Sequence, residues 1–123
     1  MRVTVNRPGG RCADVDHSVF APGTRIQMWD CNATPAQRWT RPADLTLRVS
    51  PSLCLGYAGG RTAPGTDVRL AACTGAEKWS IRPDGTIRPS ANLNVCLTAT
   101  GNQAEQIKLA TCAVAASQIF RYS

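Results

Sequence analysis

Three short stretches of the chain alternate apolar and polar residues with the two-residue period of a half-buried strand. Ile26 and Met28 bracket Gln27, Val68 and Leu70 bracket Arg69, and Ile107 and Leu109 bracket Lys108. Each stretch runs into a cysteine (Cys31, Cys73, Cys112) and then, six to eight residues later, into a large aromatic that ends the triplets Gln37-Arg38-Trp39, Glu77-Lys78-Trp79 and Gln118-Ile119-Phe120. Leu45-Thr46-Leu47-Arg48-Val49 and Gly85-Thr86-Ile87-Arg88 read as further short strands between Pro and Asp-Gly turn signals. No useful length of chain carries the helical period, so the fold is expected to be all-β.

The alternation recurs at a fixed distance. Cys12 to Cys54, Cys54 to Cys96 and Cys31 to Cys73 are each 42 residues apart, which defines a threefold repeat over approximately residues 1–39, 40–79 and 80–123. A unit of roughly four short strands cannot bury its apolar face alone, so the three are expected to pack around a shared axis, with Trp39, Trp79 and Phe120 at its centre. A solenoid would leave uncapped ends and give no reason for a cysteine pair in every unit.

With 123 residues the chain suits one compact domain. Its 6 Cys change the picture most. No two are separated by the two to four residues of a metal or redox motif, and His17 is the sole histidine, so zinc and thiol-redox chemistry are not expected. A disulfide framework in an oxidising compartment remains, and with it a secreted protein. Composition alone allows fifteen connectivities. Equivalent bonding in every repeat selects Cys12 with Cys31, Cys54 with Cys73 and Cys96 with Cys112, each contributing about 3 kcal/mol by loop closure.

The three closures, the Cys12-Ala13-Asp14 start and the segment Ile26-Gln27-Met28-Trp29-Asp30-Cys31 together resemble the ricin B-type lectin domain, also called carbohydrate-binding module family 13. The resemblance covers nearly the whole chain. It implies a β-trefoil of about twelve short strands, with up to three shallow sugar pockets, one per repeat. It also implies that Asp14 accepts two adjacent hydroxyls, Trp29 stacks under the sugar ring and Gln27 reaches a further hydroxyl, while Gln37 helps hold the aspartate loop. Ala36 stands where family sites often carry an Asn, and Asn32, Asp16 and His17 are the available substitutes. In the other repeats Gly56 and Thr98 replace Asp14, Ala71 and Ala110 replace Trp29, and Arg69 and Lys108 replace Gln27. Those pockets are expected to be dead, with Tyr57 the one alternative platform.

The net charge of +6 raises nucleic acid as a partner, but the 12 arginines are spread along the chain without a basic run, so none is expected. The segment from Met1 to Asn6 has no apolar core of a signal peptide, no stretch approaches a membrane span, and no membrane insertion is expected. Glu77 and Glu105 fall in repeat positions that symmetry separates, which disfavours a glycosidase pair. The expectation is a non-catalytic module without cofactor, binding glycans of galactoside, xylan or arabinogalactan type through the first repeat, with a tethered catalytic domain possible. The rival reading is a degenerate trefoil serving protein interaction or structure.

Overall fold

A computed structural model describes residues 1–5, 10–75 and 77–122. Arg7, one of the scattered arginines, lies outside the described residues. Eleven strands form among them: β1 (Val3–Val5), β2 (Cys12–Val15), β3 (Ile26–Trp29), β4 (Arg48–Ser50), β5 (Leu53–Tyr57), β6 (Val68–Ala72), β7 (Trp79–Ile81), β8 (Ile87–Pro89), β9 (Val95–Thr98), β10 (Lys108–Thr111) and β11 (Phe120–Tyr122). All the pairings are antiparallel, in the orders β11-β1-β2-β3, β4-β5-β6, β7-β8 and β10-β9.

The repeat predicts about twelve strands, and the difference lies after Trp39. There the ladder shrinks to one bridge, Thr40 with Arg48, because Pro42 stops the strand one residue earlier than Pro83 stops β7. The two linking stretches also start later than expected. Asp44 Oδ1 accepts from Thr46 N (3.1 Å) and Thr46 Oγ1 (2.7 Å), and Asp84 Oδ1 accepts from Thr86 N (2.9 Å) and Oγ1 (2.6 Å). Leu45 and Gly85 take the same left-handed place in these turns, at φ 70° and 89°. Turns therefore occupy residues 43–45 and 83–85, and the strands begin at Arg48 and Ile87.

The alternating stretches supply the second strands of three hairpins, β2–β3, β5–β6 and β9–β10, which close a ring. Leu70 N donates to Thr24 O, Leu109 N to Thr66 O and Met28 N to Glu105 O, each at 2.8 Å, so every hairpin leans on the next. On the axis, Gln106 Nε2 lies 3.0, 2.9 and 2.6 Å from the carbonyl oxygens of Ile26, Val68 and Ile107, which are equivalent positions of the three repeats. Beneath them Ile26, Val68, Ile107, Met28, Leu70 and Leu109 are buried, as are Trp39, Trp79 and Phe120. Each of these indoles donates to the second strand of its own repeat: Trp39 Nε1 to Ala13 O of β2 (3.2 Å) and Trp79 Nε1 to Leu55 O of β5 (3.0 Å). The three closing aromatics thus fill the core, and the two tryptophans also satisfy its backbone.

The disulfides join Cys12 to Cys31, Cys54 to Cys73 and Cys96 to Cys112, with Cα separations of 5.1, 5.2 and 5.2 Å. This is the connectivity the repeat predicts.

Candidate functional site

Strand register builds the site in the first repeat. Cys12 faces Trp29, Ala13 faces Met28, Asp14 faces Gln27 and Val15 faces Ile26. Because successive side chains point to opposite faces, Ala13, Val15, Ile26 and Met28 enter the core while Asp14, Gln27 and Trp29 share the other face. The Cys12–Cys31 bond fastens that face at one end. A cavity of about 380 Å³ opens over it, lined among others by Asp14, Gln27, Trp29, Asn32 and Thr34. Trp29 is 37% exposed although its strand neighbours are buried, so the indole is presented to solvent rather than packed away.

Gln37 lies behind this surface, fully buried. Its Nε2 donates to Asp14 Oδ2 (2.8 Å) and Asp30 O (2.9 Å), and its Oε1 accepts from Asn32 N (2.9 Å). It does not face the cavity; it is a positioning residue that ties the aspartate to the loop after β3. Ala36 is buried as well. Asn32 Oδ1 accepts from Thr34 N (3.1 Å) and Thr34 Oγ1 (2.7 Å), which aims the amide, and no described residue accepts from its Nδ2. Among the described residues that nitrogen is a free donor at the cavity wall.

Burial pushes the Asp14 carboxyl above the ordinary aspartate range. Hydrogen bonds from Gln37 and Gln27 pull it back in part, and the neighbouring charge of Asp16 pushes in the same direction as burial. A buried, underused carboxylate beside an exposed indole and two amides is an acceptor and donor set matched to a polyhydroxylated ring.

Ser18, Arg25, Thr34 and Ala104 also line the cavity and escaped the sequence reading, together with Asp16 and His17, which entered it only as substitutes. Arg25 could have been found by extending the β2–β3 register one step beyond Val15 and Ile26, which sets it beside Asp16. Its Nη2 donates to Ala104 O at 2.7 Å, and its Nε lies 3.9 Å from Asp16 Oδ2. Ala104 comes from the third repeat and leaves no local signal.

The turn between β2 and the hairpin tip is strained. His17 and Ser18 sit at φ 53° and 54°, in the left-handed region that disfavours side chains by roughly 1 kcal/mol per residue. Non-glycine residues take this region singly at Ala33, Leu45, Ala104 and Val114; only here, among the described residues, do two occur in succession.

The same face is built differently in the other repeats. In the second, Gly56 pairs with Arg69, and a Cβ at Gly56 would lie 2.9 Å from Ala71 Cβ, so the Ala71 methyl crowds the place where the carboxylate side chain would start. Arg69 Nη2 is held by Asp67 at 2.9 Å. Tyr57 is no platform: it is buried, edge-on to Trp79 with ring centroids 5.7 Å apart, and its hydroxyl donates to Glu77 Oε2 at 3.1 Å. Burial and the Glu77 carboxylate push its phenol up to about 12, so it stays a neutral donor. In the third repeat, Gln118 repeats the bonds of Gln37 but meets Thr98 Oγ1 (3.1 Å) instead of a carboxylate. Glu105 fills the loop after β9, accepting from the amides of Thr100, Gly101 and Asn102 at 2.8–3.0 Å.

These features define a β-trefoil whose first repeat gathers Asp14, Gln27, Trp29 and Asn32 around one cavity. The description of the ricin-type β-trefoil lectin domain matches residues 46–123, and that of a ricin-type β-trefoil lectin domain-like family matches residues 3–71. The chain belongs to the ricin-type β-trefoil lectin domain family. It is 32% identical over 118 residues to volkensin of Adenia volkensii, covering 91% of this chain and 22% of that protein. To β-galactoside-specific lectin 2 of Viscum album it is 35% identical over 100 residues, covering 76% of this chain and 17% of that protein. A non-toxic homologue of type II RIPs from Momordica charantia, solved in complex with α-methyl-D-galactoside, superposes with a TM-score of 0.86 at 26% identity, over 98% of this chain and 45% of that one. The chain thus spans about a fifth of the length of the curated relatives it matches.

Proposed function

We propose that the chain is a carbohydrate-binding lectin module that takes a galactoside through one pocket, in the first repeat. The observation that carries this reading is the convergence of Asp14, Gln27, Trp29 and Asn32 on one cavity, with Asp14 held from behind by Gln37. Trp29 stacks under the apolar face of the ring, Asp14 accepts from adjacent hydroxyls, and Gln27 and Asn32 complete the set. Galactosides are favoured over xylan or arabinogalactan because relatives are named for β-galactosides or were solved with a methyl galactoside. Three disulfides support an oxidising compartment, and we assign the chain to the extracellular space. It makes contact with glycan and performs no chemistry; a catalytic domain on the same polypeptide would use it for targeting.

A single shallow pocket binds at about millimolar to tens of micromolar, and tighter attachment comes from polymeric glycan or several chains. The test is a glycan array carrying galactosides, xylans and arabinogalactans, run with the wild type and Asp14→Ala. Binding to galactosides that the substitution abolishes is the expected result. Silence, or a signal indifferent to Asp14→Ala, overturns the reading in favour of a protein-interaction trefoil.

A further inference from the structure

The strained turn is the feature that the lectin reading leaves unused. Counting 42 residues forward from His17 and Ser18 gives Gly59 and Gly60, at φ 63° and 66°, and 84 residues forward from His17 gives Gly101, at φ 98°. The left-handed turn is therefore a property of the fold, taken at both positions in the second repeat and at the first position in the third by glycine, the residue that adopts it freely. Only the first repeat carries two side chains there.

Those side chains add nothing to the core. No residue of the turn Asp16–Ser18 is buried, and the His17 side chain is 86% exposed. Yet both line the cavity that holds Asp14 and Trp29. Strain kept where packing gains nothing, beside a binding surface, points to contact with what binds.

The imidazole is also oriented. Its Nδ1 lies 2.7 Å from Asp16 Oδ1, and Asp16 is anchored in turn by its own amide, which donates to Arg25 O at 3.2 Å. In the neutral tautomer Nδ1–H donates to Asp16 and Nε2 keeps its lone pair, an acceptor for an O–H group. We infer that His17 is a ligand-contacting, specificity-determining residue of the first-repeat pocket: its Nε2 accepts a hydrogen bond from a hydroxyl of the glycan held over Trp29, with Ser18 beside it at the same rim. This rests on the lectin reading and adds to it a contact outside the Asp14, Gln27, Trp29, Asn32 and Gln37 set.

Because the chain has one histidine, its imidazole signals in a nuclear magnetic resonance spectrum need no assignment. Lactose is titrated into the wild type while the imidazole shifts and the tryptophan fluorescence are followed, and the double variant His17→Gly/Ser18→Gly, which copies the second repeat, is titrated alongside. The expected result is that both probes of the wild type saturate with one dissociation constant. The glycine variant melts no lower than the wild type and binds about fivefold more weakly, the loss of a neutral hydrogen bond. Imidazole signals unmoved at lactose saturation, or an unchanged affinity in the variant while Trp29→Ala abolishes binding, overturn the His17 contact and leave the lectin reading standing. A wild type in which neither probe responds overturns the galactoside reading and the contact with it.

Discussion

The first and second repeats share a register, a disulfide and a buried tryptophan, and differ in what they place on the outward face of one two-stranded ribbon. Cys12 and Asp14 face Trp29 and Gln27; Cys54 and Gly56 face Ala71 and Arg69. The core face is conservative in both, Ile26 and Met28 against Val68 and Leu70. The comparison teaches that the scaffold and the site are separable, because strand alternation sends them to opposite sides. It also teaches that the second repeat has moved beyond merely lacking ligands: the Ala71 Cβ lies 2.9 Å from where a side chain at residue 56 would begin.

The largest expected effect separates two tryptophans on those opposite faces. Trp39→Ala removes a buried side chain and its bond to Ala13 O, and is expected to destabilise the fold by about 3–5 kcal/mol. Trp29→Ala removes an exposed ring and is expected to leave the melting temperature nearly unchanged while abolishing galactoside binding. Thermal melts and fluorescence titrations of the two variants check this, and a common phenotype breaks the separation.

Next come the disulfides. Replacing Cys12 and Cys31 by alanine, or Cys54 and Cys73 by alanine, is expected to cost about 3 kcal/mol in either repeat, since both bonds span 19 residues. Only the first pair lies beside the pocket, so at temperatures where both variants stay folded only the first loses affinity. Denaturant melts paired with calorimetric titration distinguish the two.

Asp14→Asn sharpens the comparison further. A charge-assisted bond to the glycan is lost, worth about 1.5–3 kcal/mol of binding. Stability moves the other way. Because burial raises the Asp14 pKa in the folded chain, the ionised group favours the unfolded state at neutral pH, and removing the charge is expected to hold or raise the melting temperature. The same sign gives the pH dependence: glycan binding fades as pH falls through that raised pKa, above the range where an ordinary aspartate titrates, while this group's contribution to fold stability becomes more favourable. Binding that persists down to the ordinary range would contradict the burial argument.

The smallest effect is a graft. Gly56→Asp with Arg69→Gln and Ala71→Trp restores the ligand types to the second repeat, yet the close approach at residue 56 opposes it. The triple variant is expected to gain no second binding event and to lose stability, as calorimetry and melts report.

Much of this was legible in the chain because it recurs. The spacing of the cysteines predicts their pairing, the closing aromatics predict the core, and the replacement of Trp29 by Ala71 and Ala110 marks it as dispensable to the fold. What stayed hidden depends on contacts between repeats or on competition within a turn. Asp44 and Asp84 capture their threonines and turn a stretch with strand-like alternation into a loop. Tyr57 looks available in sequence, but its place edge-on to Trp79 and bonded to Glu77 arises only when β5 and the closing segment meet. Ala104 reaches the pocket from the third repeat, across a boundary that no local pattern records.

The central claim is one glycan per chain, bound in the first repeat. Calorimetric titration of the wild type with lactose, carried to saturation and paired with Trp29→Ala, tests it most directly. A stoichiometry of one that disappears in the variant is predicted. Two or more sites, or a site that survives the loss of Trp29, would contradict it.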